Sequence, residues 1–265
     1  MKVTSLIDNL SHGLCVAEHG LSLHIELDSG LKILFDMGQG ELFTRNAEIL
    51  GIDLVDVDIA VISHGHYDHG GGLKTFLERN SKAKVYVRKR AFDAHYSLKE
   101  DGAKNIGIEK ADRKRLVFCE GCSEPADGVI LFVDPPHHFP EPPGNSLLLG
   151  PGMKPDTFSH EQSMIVFEGD KKVLFGGCAH RGIVNILQVA QNICDDGITH
   201  VFSGMHIGKG DVSREYILSL SQALKGYDDI KYYTMHCTGD EGYRFLKETM
   251  GEQIEYLACG EIITI

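Results

Sequence analysis

Positive charge is scarce in this sequence. Lys and Arg together number 26 against 38 Asp and Glu, so the formal net charge is −12. This balance argues against nucleic acid or an anionic membrane as the main partner, because both are themselves negatively charged. No apolar run approaches the roughly 20 residues that a membrane helix needs. We therefore expect a soluble protein that acts on a small molecule, with neither nucleic acid nor a membrane as its partner.

An export signal and paired cysteines are also lacking. The first residues, MKVTSLIDNLSHG, do not contain the apolar stretch of a signal peptide. The seven cysteines are an odd number, and the CxxC spacing of Cys119 and Cys122 has no second pair with which to form a zinc ribbon. Both observations predict reduced thiols in a cytoplasmic protein.

The order of strands and helices predicts a layered α/β protein. The first quarter contains three predicted strands, KVTSLI, LSLHIEL and LKILFDMG, and a fourth, VDIAVIS, follows a short helix near 41–50. After residue 162, predicted strands alternate with helices. Such an order is typical of sheets packed together with helices outside them. We expect one domain that spans residues 1–265.

Two stretches differ from the rest of the chain. All eight prolines fall between residues 125 and 155, which predicts a loop-rich insertion at about 98–162 that could serve as a lid or a substrate wall. Residues 82–115 hold 11 Lys or Arg against 5 Asp or Glu. A solvated face would explain this cluster. The alternative is a rim that attracts an anionic substrate, such as one that carries a phosphate.

The stretch SHGHYDHGGG, residues 63–72, places four metal-binding side chains in six positions: His64, His66, Asp68 and His69. It directly follows VDIAVIS, so a buried strand would deliver it to the edge of a sheet. In an extended segment His64 and His66 face the same side, and the other two lie beyond a bend. The glycine run allows a tight turn and a close approach of the backbone to ions and substrate. Nitrogen and carboxylate ligands suit zinc, iron or manganese.

The stretch HGHYDHGGG resembles the signature of the metallo-β-lactamase superfamily. The resemblance implies a four-layer αββα sandwich with a one- or two-metal site at the sheet edge. It also implies that His64 and His66 bind the first metal, and that Asp68 and His69 bind the second. We therefore expect two divalent metal ions as cofactors, with zinc preferred and manganese or iron as alternatives.

Further ligands must come from distant parts of the chain, since four residues cannot complete two sites. Candidates that follow predicted strands are Cys178 and His180 in GGCAHRG, His206 in SGMHIG and His236 in MHCTG. The resemblance implies that His236 serves the second metal. It places Cys178 where the family has a bridging aspartate, as a thiolate ligand or as an inert buried cysteine. The third ligand of the first metal is His180 or His160, and we favour His180 because it lies in a strand-end turn.

A site of this kind implies a metal-dependent hydrolase. Two metals about 3.5–4 Å apart would share a water and lower its pKa toward roughly 7, giving a hydroxide able to attack an ester, phosphodiester or amide. Asp68 would help to orient this nucleophile. His206 resembles the histidine that family phosphodiesterases place near the leaving group, or else it is a supporting core histidine. The expected substrate is small and anionic, and a homo-oligomer is left open.

Two alternatives come from different classes of function. EHGLSLHIE, ILFDMGQG and GCAHRGIVNIL resemble a subgroup of superfamily II metal-dependent hydrolases. This subgroup includes 7,8-dihydropterin-6-methyl-4-(β-D-ribofuranosyl)aminobenzene 5′-phosphate synthase of methanopterin-type pathways, so a synthase (transferase) is one alternative. The other is a non-catalytic metal or ligand sensor. The sensor is disfavoured because structural metal sites are closed by four residues as a rule, and this chain offers a larger set.

Overall fold

The computed structural model of the chain describes residues 1–109, 111–133, 135–195, 197–208 and 212–265. Within the described part, no helix is both long enough and apolar enough to cross a membrane.

The candidate site is built at the ends of the strands and helices. The strands are Lys2–Ile7 (β1), Ser22–Glu26 (β2), Lys32–Phe35 (β3), Ile59–Val61 (β4), Lys84–Arg88 (β5), Tyr96–Lys99 (β6), Gly102–Asn105 (β7), Leu116–Cys119 (β8), Ser123–Ala126 (β9), Val129–Val133 (β10), Leu148–Leu149 (β11), Gln162–Glu168 (β12), Lys171–Phe175 (β13), His200–Ser203 (β14), Lys231–Thr234 (β15), Ile254–Tyr256 (β16) and Ile262–Thr264 (β17). The helices are Leu42–Ile49 (α1), Tyr67–Gly70 (α2), Leu73–Arg79 (α3), Ile183–Ile193 (α4), Arg214–Lys225 (α5) and Asp240–Met250 (α6).

Most strands belong to one of two mixed sheets. The first sheet has the order β17-β1-β2-β3-β4-β5-β8, and the second has the order β16-β15-β14-β13-β12-β10-β9. In each sheet one half is antiparallel and the other half is parallel, from β3 to β8 in the first and from β13 to β16 in the second. A separate small sheet has the order β11-β6-β7.

Alternating side chains bury both faces of each sheet. In β3, Ile33 and Phe35 pack between the two sheets, whereas Leu34 packs on the opposite face in the cluster that includes residues of α1 and α3. In β13, Val173 also packs between the sheets, and Leu174 belongs to the cluster that includes α4, α5 and α6. Because successive side chains of a strand point to opposite faces, one strand can serve two apolar layers. The result is the predicted αββα sandwich, which is confirmed.

The segment at 98–162 carries more strand than a loop-rich insertion suggests. It supplies β8 to the first sheet and β9 and β10 to the second. It also contains β7, β11 and half of β6, which form the small sheet. The strands near 115–118 and 128–133 match β8 and β10. The hairpin of β6 and β7 was not predicted, since it contains lysines, serine and glycine, which are poor strand formers.

The parallel halves bring strand ends to one edge of the sandwich. β3, β4 and β5 are parallel neighbours in the first sheet, and β13, β14 and β15 are parallel neighbours in the second. His64 follows β4, Cys178 follows β13, and His206 and His236 follow β14 and β15. The carboxyl ends of parallel strands are where open α/β sheets form their sites. The candidate ligands are therefore assembled by the topology itself.

His24, remote from these strand ends, makes the fold sensitive to acid. It lies in β2 opposite Thr4 and Leu34 and is almost fully buried. Neither ring nitrogen has a hydrogen-bond partner among the described residues. Burial lowers the pKa of His24 from 6.5 to about 4. Because the unfolded chain takes up this proton first, the stability that depends on a neutral His24 is lost as the pH falls below about 6.5.

We predict that His24→Leu reduces the acid sensitivity of folding. Between about pH 7.5 and about pH 5, His24 should lower the free energy of unfolding by about 2 kcal/mol, and the variant should lose that contribution. Urea unfolding at both pH values measures it. His138→Leu is the control, since His138 is exposed. An equal pH dependence in His24→Leu and wild type would contradict the prediction.

Candidate metal centre

The HGHYDH motif begins two residues after β4 and runs through a bend into α2. His66 has an extended backbone at the start of α2, and Asp68 and His69 lie within its single turn. The side chains of His64 and His66 meet, with 3.0 Å between His64 Nε2 and His66 Nδ1. Asp68 Oδ2 lies 3.4 Å from His236 Nε2. The motif and the end of β15 therefore meet, as the sequence predicted.

The glycines after the motif have a different role from the predicted one. The φ angles of Gly71 and Gly72 are ordinary helical values, −63° and −74°. A Cβ on Gly71 would collide with the carbonyl oxygen of Gln39, and one on Gly72 with that of Met37. The nearest neighbours are thus the loop after β3, whereas we expected ions and substrate. The glycines let this loop and α2 pack together, which places the motif.

Candidate ligand atoms converge on Cys178. One group consists of His64, Cys178 and His180, and another consists of His69, Cys178 and His236. Within each group the ligand atoms lie within 4.8 Å of one another. His69 Nε2 is 3.2 Å from Cys178 Sγ. Cys178 therefore lies between the two groups, at the position that the sequence analysis considered for a bridging thiolate.

The structure separates His180 from His160. His180 Nδ1 is 3.0 Å from Asn145 Oδ1, and its Nε2 is buried with no hydrogen-bond partner in the described ranges. His160 is engaged at both nitrogens: Nδ1 accepts the Gly65 N–H at 2.9 Å, and Nε2 is 3.3 Å from Asp156 Oδ2. A nitrogen lone pair that already accepts a hydrogen bond is not available to a metal. The free Nε2 supports His180 as the third ligand, whereas His160 lies with His66, His95 and Asp156 in another group of ligand atoms within 4.8 Å of one another.

Side chains outside the motif hold the candidate ligands in place. The buried Asp36 accepts hydrogen bonds from the N–H and the hydroxyl of Ser63, each at 2.7 Å, and lies 2.7 Å from His69 Nδ1. Asn9 Oδ1 is 2.8 Å from His236 Nδ1. Partners of this kind orient a metal-binding imidazole and fix which of its nitrogens carries the proton. Each leaves Nε2 of its histidine free to face the centre.

Burial and charge set the protonation of the centre. Complete burial and then the neighbouring histidines lower the pKa of His64 well below its ordinary value, and burial with His206 does the same to His180. Burial alone would raise the pKa of Asp68, but hydrogen bonds from His19 and His236 hold it well below its usual range. For His64, His180 and Asp68 these are the protonation states that a metal requires. His69 differs: burial alone would lower its pKa, but the neighbouring Asp36 carboxylate raises it.

Unpaired buried nitrogens show that the residues fit a cation. His66 Nε2, His180 Nε2 and His206 Nδ1 are all buried and make no hydrogen bond to any described residue. His236 Nε2 is also buried, and it lies 3.4 Å from Asp68 Oδ2. Such atoms are unfavourable when left unsatisfied. A set of imidazole, carboxylate and thiol donors is one that zinc and neighbouring divalent metals accept.

A cavity of about 800 Å³ opens over these residues. Asp68, Cys178, His206 and His236 are part of its lining. Residues 97–100 and 104–106, from β6, β7 and the residues beside them, form another part of the wall, and residues 144, 147 and 148 contribute as well. The segment that we expected to be a lid or a substrate wall therefore borders the cavity.

Three residues near the centre were missed or left open in the sequence analysis. His19 Nε2 is 3.1 Å from Asp68 Oδ2. The ligand atoms of His19, Asp68 and His236 all lie within 4.8 Å of one another. Cys237 is buried beside His206 and lines the cavity. The one sequence signal for Cys237 was its place directly after His236, and a distant asparagine such as Asn145 gives no signal.

We predict that His180 is needed for metal binding and His160 is not. His180→Ala should reduce the zinc content of purified protein by about one equivalent, because it removes one of few ligands. His160→Ala, the matched control, should retain the wild-type content. Elemental analysis with thermal unfolding of both variants gives the answer. Loss of zinc in His160→Ala alone would reverse the assignment.

Comparisons with known proteins agree with this geometry. Residues 18–189 match the model of the metallo-β-lactamase superfamily. An uncharacterized protein of Methanocaldococcus jannaschii is 29% identical over 98% of each chain. The 7,8-dihydropterin-6-methyl-4-(β-D-ribofuranosyl)-aminobenzene-5′-phosphate synthase of the same organism is 28% identical over 93% of this chain and 90% of its own. The crystal structure of a metal-dependent hydrolase of the β-lactamase superfamily has a TM-score of 0.82 and 28% identity, over 100% of this chain and 99% of its own. The chain therefore belongs to the metallo-β-lactamase superfamily.

Proposed function

We propose that the protein is a metal-dependent hydrolase of a small anionic ester, phosphodiester or amide. The observation that carries this proposal is the meeting of two groups of ligand atoms at Cys178, beside an open cavity of about 800 Å³. An open cavity distinguishes such a centre from a structural metal site, in which protein ligands fill every position. The similarity to a metal-dependent hydrolase over the whole chain supports the same reading.

The residues divide into two sets of ligands. His64, His66 and His180 would hold one ion, and Asp68, His69 and His236 would hold a second, with Cys178 between them. A thiolate among the donors favours zinc over manganese, because soft sulfur ligands suit zinc better. Divalent ions at such a centre supply Lewis acidity toward the scissile group and a lowered pKa for water.

Two side chains at the cavity would handle protons and orientation. Asp68 lines the cavity, and its Oδ2 lies 3.1 Å from His19 Nε2 and 3.4 Å from His236 Nε2. Its carboxylate would orient the attacking water by accepting a hydrogen bond from it. His206 lines the same cavity, and its buried Nδ1 is without a hydrogen-bond partner in the part of the chain that is described. It would supply a proton to the leaving group from a ring nitrogen.

The cavity wall supports a substrate that is anionic at one end and apolar at the other. Lys99 and Lys104, from the predicted basic segment, line the cavity together with Leu98 and Leu147. Lys104 also pairs with Asp101 at 2.6 Å, and both of these residues are exposed. Cations at a cavity mouth raise the local concentration of anionic ligands. We infer that this hairpin receives the charged group, such as a phosphate.

A synthase is the second candidate, and a specific observation favours it. The relative that is 28% identical over 93% of this chain is named as a synthase that forms a 5′-phosphate product. The cavity with its two lysines would suit a phosphate-bearing molecule in either reaction. What separates the two candidates is whether water or a second organic substrate attacks, and a kinetic experiment can tell these apart.

We predict that the zinc-loaded protein hydrolyses an aryl phosphodiester or ester, and that Asp68→Asn lowers kcat by about 100-fold or more, because a neutral amide is a weaker metal ligand and a weaker hydrogen-bond acceptor for the attacking water than a carboxylate. Asp170→Asn, in the exposed turn between β12 and β13, is the control. Absence of turnover on any hydrolytic substrate by protein with bound zinc would count against a hydrolase and favour the synthase or the sensor.

We further predict that Lys99→Glu raises KM for an anionic phosphodiester about five- to tenfold, because a negative charge at this exposed position on the cavity wall repels the anion. Lys84→Glu is a matched control, since Lys84 is also exposed but lies at the start of β5, at the opposite end from the site. KM for an uncharged ester should not change. An equal change in both variants would remove the hairpin from substrate binding.

A further inference from the structure

Cys237 is a second sulfur at the centre, and the proposed reaction gives it no role. It lies in a single helical turn after β15 and is only 6% exposed. Its Sγ accepts the backbone N–H of His206 at 3.2 Å. Cys178, His206 and Cys237 form a group of ligand atoms that all lie within 4.8 Å of one another. The group therefore contains two thiols, one imidazole and no carboxylate.

The topology assembles this group from three adjacent parallel strands. Cys178, His206 and Cys237 follow β13, β14 and β15, respectively. Gly204, at the end of β14, lies where any Cβ would collide with Cys237 Sγ. A glycine is thus required for the sulfur to occupy this position. The packing keeps the Sγ atom of Cys237 close to that of Cys178.

The backbone at this edge also departs from ordinary geometry. His206 and His236 have positive φ angles of 48° and 47°. For residues other than glycine this conformation is uncommon, and it costs on the order of 1 kcal/mol or more. The surrounding fold therefore holds His206 and His236 in place. Strain of this kind is concentrated at ligand sites.

We propose that Cys178, Cys237 and His206 form a further cation position with soft ligands, which shares Cys178 with the hydrolytic centre. An ion bound there would engage His206 in place of its role as a proton donor. The ion class is one that prefers thiolates, such as zinc or Cu(I), and the absence of a carboxylate from the three disfavours manganese or magnesium. Two cysteines and one histidine are a known zinc ligand set. Cys178 would already be a thiolate in the hydrolytic centre, so binding at the further position replaces the thiol proton of Cys237, which leaves to solvent as its metal–sulfur bond forms.

The test counts sulfur ligands in the intact, metal-loaded protein. In zinc-loaded wild type, X-ray absorption should detect scattering from two sulfurs per chain at about 2.3 Å. In Cys237→Ser the sulfur scattering should fall to about half, and so should the thiolate-to-metal charge-transfer absorption of the cobalt-substituted protein. Cys194→Ser is the control, because Cys194 is a buried cysteine in the apolar cluster that includes α4, α5 and α6, remote from the centre.

A second variant keeps the thiol but moves it. Gly204→Ala places a methyl group against Cys237 Sγ and should lower the sulfur count as Cys237→Ser does. Scattering from a single sulfur in wild type, or a count unaffected by both variants, would overturn the proposal. The sulfur count does not depend on turnover. Hydrolysis with only one sulfur ligand would contradict the further cation position and leave the proposed function intact. Two sulfur ligands without hydrolysis would contradict the proposed function and leave the further cation position intact.

Discussion

A buried carboxylate, Asp36, fixes the position on which the centre depends. Its side chain is fully buried and is surrounded by donors from Ser63 and His69. A buried acid is tolerated only when its oxygens are satisfied, so the end of β3 and the HGHYDH motif must meet in one arrangement. The motif then presents its histidines to Cys178 across the gap between the sheets. The positions of the candidate ligands in the motif follow from that arrangement.

The parts of the centre that depend on local order could be predicted from the sequence. The strand VDIAVIS sets where His64 lies, and the strands before Cys178, His206 and His236 place those residues at the same edge. The choice between His180 and His160 could not be made from spacing alone. It depends on which ring nitrogens are already bonded, and the partners of those nitrogens, Asn145 and Asp156, lie 35 residues before His180 and four residues before His160.

The basic segment shows a second limit of sequence analysis. Of its arginines, Arg88 donates to the carbonyl oxygens of Cys119 and Ser159, and Arg115 donates to those of Leu77 and Ala83. These charges serve the fold, whereas Lys99 and Lys104 border the cavity. A count of charges cannot tell the two groups apart, since each consists of basic residues from the same segment. Only the hairpin of β6 and β7, whose residues are weak strand formers, decides which lysines face the cavity.

The candidate ligands come from both sheets: His64, His66, Asp68 and His69 follow the first, whereas Cys178, His180 and His236 follow the second. An ion held by both groups would join chain segments more than a hundred residues apart. Closing a loop of that length restricts the unfolded chain much as a distant cross-link does. Because metal binding and folding are then linked, the two sheets would separate less readily as the free metal concentration rises. The cation would thus act as a reversible cross-link between the two sheets as well as a part of the site.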